Sequence, residues 1–203
     1  MILVGRYLSP FVRRVAVTLQ WLDVAYEHRS LSPADQAEDI RALNPMVKVP
    51  VLVLDDGQTL IESSAILDSL LETIPGQTLL PASGVARRDV LQQCGMMTSA
   101  LDKSVSALYE RVKRPKEKIH QPFLDHLIAQ ASAGFDLIEA QIRDGKLAGV
   151  AQPTLADLTT AVGYTFASQM LPSVTDAQRH PLLAKHAESF EQTKAFSACR
   201  FQV

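Results

Sequence analysis

The sequence predicts an α/β sandwich built on a mixed β-sheet, followed by an all-α helical bundle. Three observations carry that expectation. Over the first third of the chain, short apolar runs and periodic segments alternate in the order strand, helix, strand, helix, hairpin, helix. Asp55-Asp56-Gly57 separates two apolar runs, the signature of a hairpin turn. Beyond residue 84 the strand signal stops, and apolar residues recur at helical spacing in long stripes.

Ile2, Leu3 and Val4 form a short apolar run of the kind a buried strand presents. Ser9-Pro10 then opens a segment in which Val12, Val15, Ala16, Leu19 and Leu22 repeat at helical spacing. Proline suits the first turn of that helix, because an N–H there has no intrahelical acceptor to lose. Residues 26–31 read as a second strand. Pro33 opens a second helix that ends near Leu43, since the residue before Pro45 is steered away from helical geometry. Residues 51–54 and 59–61 are the arms of the hairpin. Ser63 is expected to cap the next helix, with Ile66, Leu67, Leu70, Leu71 and Ile74 on its apolar face and Pro75-Gly76 as its stop.

In the second part, Leu91, Cys94, Met97, Leu101, Val105 and Leu108 mark a long amphipathic helix over residues 85–112. Leu124, Leu127, Ile128, Ala131, Phe135, Ile138 and Ile142 make a second stripe that ends at Asp144-Gly145. Thr154-Leu155-Ala156-Asp157 opens a third helix with an acidic capping box, and a shorter helical segment follows Pro181. The expected organisation is a first domain over residues 1–76, a linker over 77–84 and a helical domain over 85–203.

A formal net charge of -2 with 21% charged residues gives no electrostatic footprint for nucleic acid or an anionic membrane, so neither is expected as a partner. The two cysteines, Cys94 and Cys199, lack the spacing of a dithiol site and are too few for a zinc cage or a disulfide framework. Both are expected as reduced, buried thiols in a cytoplasmic protein. The apolar run after Met1 is too short for a signal-peptide core, and no segment reaches the length of a membrane span.

The ordered set Ser9-Pro10-Phe11-Val12-Arg13, Asn44-Pro45, Val49-Pro50, Glu62-Ser63 and Thr154-Leu155-Ala156-Asp157 resembles the cytosolic glutathione transferase family over almost the whole chain. Within it, Ser-Pro-Phe is similar to the serine-type bacterial and tau-like members. Ser69 departs from the pattern where an aromatic residue is common. The resemblance implies a thioredoxin-like first domain with a cis-proline loop, an all-α second domain forming the acceptor wall, and a homodimer. It further implies glutathione as co-substrate with no other cofactor and no metal, and a small hydrophobic electrophile or an organic peroxide as the second substrate.

A free thiol has a pKa of about 8.5, so a transferase must favour the thiolate. The resemblance implies that Ser9 does this, its hydroxyl donating to the glutathione sulfur at the positive end of a helix. Read locally, Ser9 is equally a helix cap. Tyr7 is the rival donor, with a strand-packing residue as its bland reading. The resemblance also implies that Lys48 attracts the glycyl carboxylate, that Val49 before Pro50 pairs with the cysteinyl backbone, and that Ser63 and Glu62 hold the γ-glutamyl carboxylate and ammonium. Lys48 otherwise reads as an exposed loop charge. Arg13 reads as a solvated helix residue, a structural ion pair, or a neighbour of the anionic site. Asp157 belongs to its capping box, and Met97, Leu101 and Tyr109 read as acceptor contacts or as bundle core.

Overall fold

The computed structural model describes residues 1–201. In chain order the elements are β1 (Ile2–Val4), α1 (Pro10–Trp21), β2 (Glu27–Arg29), α2 (Ala37–Arg41), β3 (Val51–Val53), β4 (Thr59–Ile61), α3 (Ser63–Thr73), α4 (Gly84–Val112), α5 (Gln121–Arg143), α6 (Leu155–Met170), α7 (Pro181–Glu191) and α8 (Lys194–Ala198). The chain divides into two compact units: Met1–Leu79 together with the segment that begins at Gln192, and Leu80–Glu191.

In the first unit the strands run in the order β2-β1-β3-β4, with β1 and β2 parallel and the other two pairs antiparallel. This is the mixed sheet of a thioredoxin-like domain. Because side chains alternate along a strand, the pair Val4↔Val51 and the pair Leu3↔Leu52 point to opposite faces. Val4 and Val51 join Ile40 of α2 in one core cluster. Leu3 and Leu52, fully buried, lie on the face opposite that cluster, and α1 and α3 pack on each other, with Val12, Val15, Leu19, Ile66, Leu67 and Leu70 buried. Every residue of α1 from Val12 to Leu19 is buried, so this helix is covered on more than one side.

Two local expectations need correction. The second helix begins at Ala37 and not at Pro33, because Ser32 takes up the chain first: its carbonyl accepts from Gln36 N–H at 2.8 Å and its hydroxyl from Ala34 N–H at 3.2 Å, a turn that delays the helix. The second strand contracts to Glu27–Arg29, the stretch that pairs with the three residues of β1.

The second unit is an all-α bundle in which α4 packs on α5 and α6, and α7 on α5 and α6. The spine is α6, buried from Leu155 to Ala167. Close packing is built in with small residues: a Cβ at Gly134 would sit 2.7 Å from Ala100 Cβ, and one at Gly163 would sit 2.3 Å from Met97 Sδ. No helix among the described residues is long and apolar enough to cross a membrane.

Candidate functional site

The sheet register gathers one end of the first unit. Val4 pairs with Val51, and Val51 with Ile61. The residues that follow Val4 and Ile61 and precede Val51, namely Gly5, Glu62 and Pro50, therefore leave the sheet at the same end. Each leads into a segment that the sequence analysis marked: the turn carrying Ser9, the Val49-Pro50 loop, and the start of α3.

Gly5 makes the first two meet. Its φ is +127°, a conformation side chains rarely adopt, and a Cβ there would lie 2.5 Å from Val12 Cγ2 and 2.9 Å from Val49 Cβ. Ser9, half-buried, is the N-cap of α1: its Oγ accepts from Val12 N–H at a long 3.4 Å and its carbonyl from Arg13 N–H at 2.9 Å. Among the described residues no acceptor takes the Ser9 hydroxyl hydrogen.

Tyr7 is occupied elsewhere. Its hydroxyl lies 2.9 Å from that of Tyr26, which lies 3.5 Å from Cys199 Sγ. Its ring stacks on His28 with centroids 3.9 Å apart, and His28 Nε2 hydrogen-bonds the Gly5 carbonyl at 2.8 Å. Burial pushes the Tyr7 hydroxyl up to about 12, with the bond to Tyr26 working in the opposite direction. Tyr26 is raised further, by burial first and then by its bonds to Cys199 and Tyr7. Burial also raises the Cys199 thiol.

The Val49–Pro50 peptide is cis. Asn44, 1% exposed, braces the loop by donating from Nδ2 to the Lys48 carbonyl at 2.9 Å, while the Lys48 side chain is exposed. At the start of α3 the cap differs from the expectation. Glu62, not Ser63, is the N-cap: its Oε2 accepts from Ser64 N–H at 3.0 Å and Ala65 N–H at 3.3 Å. Glu62 caps from a backbone with φ +71° and ψ 124°, in the left-handed half of conformational space. Ser63 is the first helical residue and buried, its hydroxyl 3.4 Å from Glu62 Oε1. Strained backbone of the Glu62 kind costs about 1–3 kcal/mol and gathers at ligand sites.

Two arginines behave unlike surface helix residues. Arg13 is fully buried; its Nε donates to the Cys199 carbonyl at 2.8 Å and its guanidinium lies 5.3 Å from the Phe196 ring centroid. It is not a solvated residue because α8 covers that face of α1. Arg14, which sequence reasoning did not single out, is 1% exposed and donates from Nη1 to Ser63 Oγ and Ser64 Oγ, each at 3.3 Å. The available signal was Val12, Val15, Ala16, Val17 and Leu19 spread around α1, which leaves little solvent for either arginine.

In the second unit, Asp157 is fully buried in its capping box, accepting from Thr154 N–H at 2.8 Å, Thr154 Oγ1 at 2.7 Å and Gly149 N–H at 2.7 Å. Met97 and Leu101 are core, whereas Tyr109 is exposed with Lys113 Nζ 3.9 Å from its ring centroid. Cys94 and Cys199 are buried and neither is in a disulfide. No group of three or more His, Cys, Asp or Glu residues among those described could hold a metal.

A mixed four-stranded sheet with a cis-proline loop, followed by helices, defines a thioredoxin-like domain joined to an all-α unit. Residues 3–78 match the family model for the glutathione S-transferase N-terminal domain. Maleylacetoacetate isomerase of Pseudomonas aeruginosa PAO1 is 30% identical over 162 residues, covering 75% of this chain and 74% of that protein. The crystal structure of a glutathione transferase family member from Pseudomonas fluorescens Pf-5 with bound glutathione is 30% identical, covers 100% of this chain and 99% of that one, and superposes with a TM-score of 0.88. A glutathione S-transferase from Methylobacterium radiotolerans in complex with glutathione sulfonate is 25% identical over 98% of this chain and 93% of that one, with a TM-score of 0.90. The chain belongs to the glutathione S-transferase family.

Proposed function

We propose that residues 1–76 bind glutathione at this end of the sheet and that the protein is a serine-type glutathione transferase. The observation that carries the reading is the register Val4↔Val51↔Ile61, which brings the Ser9 turn, the cis-proline loop and the start of α3 to one place. Ser9 donates its hydroxyl hydrogen to the glutathione sulfur, and the positive end of α1 adds to the stabilisation of the thiolate. Lowering the thiol pKa by about two units corresponds to roughly 2.7 kcal/mol. The backbone of Val49 pairs with the cysteinyl residue as an added strand, and Lys48 attracts the glycyl carboxylate. Ser63 and the positive end of α3 hold the γ-glutamyl carboxylate, and Glu62 takes the ammonium.

The thiolate then attacks a small hydrophobic electrophile, forming a C–S bond as the leaving group departs with its electron pair. With an organic peroxide the sulfur takes the distal oxygen, the alkoxide leaves with the O–O electron pair and is protonated to the alcohol. A second glutathione then releases water and yields glutathione disulfide. We place this activity in the cytoplasm, in a symmetric homodimer. The bound ligands of the Pseudomonas and Methylobacterium proteins support the choice of glutathione.

Calorimetry with glutathione and a panel of electrophiles and organic peroxides tests the proposal. Binding with turnover of at least one acceptor is expected. Failure of the folded protein to bind glutathione contradicts it, and binding without turnover of any acceptor makes the protein a glutathione-binding module.

A further inference from the structure

Cys199 lies 190 positions after Ser9 in the chain, yet it is tied to side chains on both sides of that serine. Two residues before Ser9, Tyr7 is held through the hydroxyl of Tyr26, 2.9 Å from its own, and Tyr26 in turn lies 3.5 Å from Cys199 Sγ. Four residues after Ser9, Arg13 donates to the carbonyl of the same Cys199 at 2.8 Å. We propose that Tyr26 and Cys199 are positioning residues: a latch by which the C-terminal segment fixes the β1–α1 turn and so aims the Ser9 hydroxyl. The inference rests on the proposed role of Ser9.

The geometry fits a positioning device. Arg13 and Cys199 are both fully buried, and a guanidinium donating to a carbonyl away from water makes a charge-assisted bond that water does not compete for. Arg13 also faces the Phe196 ring, so α8 contributes to the same hold. The turn itself is clamped upstream, where Gly5 N–H donates to the Arg29 carbonyl at 2.9 Å and His28 Nε2 bonds the Gly5 carbonyl. Within the turn, the local bonds are Ser9 N–H to the Arg6 carbonyl at 3.0 Å and the long Val12 N–H to Ser9 Oγ contact at 3.4 Å. Tyr7 is the one turn residue whose side chain reaches the Tyr26–Cys199 pair, so its bond transmits the position of the C-terminal segment to Ser9. The Tyr7 hydroxyl meets a partner that is itself anchored, the Tyr26 hydroxyl beside Cys199. Tyr7 thereby acts through Ser9.

Tyr26→Phe removes the central hydroxyl and keeps the ring. Cys199→Ala removes one end of the latch, and Cys199→Ser keeps a hydrogen-bonding partner of similar size for Tyr26. Amide hydrogen exchange of the ligand-free proteins and the thiolate absorption of bound glutathione as a function of pH are measured together. Tyr26→Phe and Cys199→Ala are expected to speed exchange over residues 5–12 by about fivefold, with α6 unchanged, as follows from loss of one hydrogen bond of ordinary strength. Both are expected to raise the pKa of the bound thiol while glutathione affinity stays within about twofold. Cys199→Ser should return both readings toward wild type. Unchanged exchange over residues 5–12 in both variants overturns the latch, and faster exchange with an unaltered thiol pKa overturns its positioning role. If wild-type protein binds glutathione without a lowered thiol pKa, the Ser9 reading itself fails and the positioning role fails with it. The exchange arm needs no ligand, which keeps the two failures distinguishable.

Discussion

The hydroxyl of Tyr7 lies 2.9 Å from the hydroxyl of Tyr26, in a half-buried pair. Several transferase classes resemble one another in using a tyrosine from the end of the first strand to hold the thiolate. Here Tyr7 stacks on His28 and bonds Tyr26, which reaches Cys199, and the proposed donor is the Ser9 hydroxyl.

The tyrosine pair has a pH signature. Burial raises both hydroxyls, Tyr7 to about 12. A raised folded pKa means that the native state keeps its proton longer than the unfolded chain, whose tyrosines titrate near about 10. The stabilisation is therefore complete below about pH 10 and is lost as pH rises through the folded value. Denaturant titrations from neutral to alkaline pH should show stability falling above about pH 10, and Tyr7→Phe with Tyr26→Phe should flatten that fall.

Gly5 is expected to be intolerant of any side chain. Gly5→Ala places a Cβ 2.5 Å from Val12 Cγ2 and 2.9 Å from Val49 Cβ at a φ of +127°. Overpacking and backbone strain together should cost about 2–4 kcal/mol, read as a lower midpoint in urea. Because Val12 and Val49 lie in the two segments proposed to bind glutathione, affinity in any folded fraction should fall as well.

Much of this architecture was legible in the sequence, and what was not has identifiable physical causes. The alternation of Ile2-Leu3-Val4 with the Val12–Leu19 stripe, and Asp-Gly between two apolar runs, placed the sheet and hairpin because those patterns depend on neighbours a few residues away. Asn44-Pro45 limited the second helix from the sequence alone, although α2 ends at Arg41, two residues short of the expected Leu43. By contrast, the start of α2 was displaced by a side-chain turn at Ser32, and the cap of α3 fell to Glu62, whose carboxylate accepts from Ser64 and Ala65 N–H at a φ of +71° that no local pattern announces. Burial of Arg13 and Arg14 was hidden because it depends on α8 and on Ser63 and Ser64, which lie 49 to 186 positions away in the chain. Ser9, Val49, Pro50, Glu62 and Ser63 were singled out through motif order, whereas the shared end of the sheet from which their segments leave rests on strand register that no local pattern specifies.

The Glu62–Ser63 pair is expected to separate binding from folding only in part. Glu62→Gln with Ser63→Ala should weaken glutathione binding by about tenfold or more, the loss of charge-assisted bonding. Ser63 also accepts from buried Arg14, so the melting temperature should drop as well, and Glu62→Gln alone is the cleaner probe. Unaltered affinity by calorimetry in the folded double variant would remove the γ-glutamyl subsite from the account.

In the helical unit, Asp136 gives an acid-side counterpart. Burial opposes its ionisation, but hydrogen bonds from Arg179 and His180 outweigh this and hold the carboxyl below its ordinary value. A depressed carboxyl stabilises the fold above its unfolded pKa, and that contribution is lost as pH falls through the folded value. Asp136→Asn should lower the melting temperature at neutral pH, with the gap to wild type closing in acid.

Whether the Ser9 hydroxyl stabilises the thiolate of bound glutathione is read out by a spectroscopic titration of that thiolate in wild type and Ser9→Ala. Wild type should show the bound thiol ionising about two units below a free thiol. Ser9→Ala should raise that pKa by an amount equivalent to about 1–3 kcal/mol, with conjugating activity falling in step. Ser9→Gly, which costs a helix cap only a few tenths of a kcal/mol, should show the same loss at nearly wild-type stability. An unchanged thiolate titration in folded Ser9→Ala with glutathione bound would contradict the account.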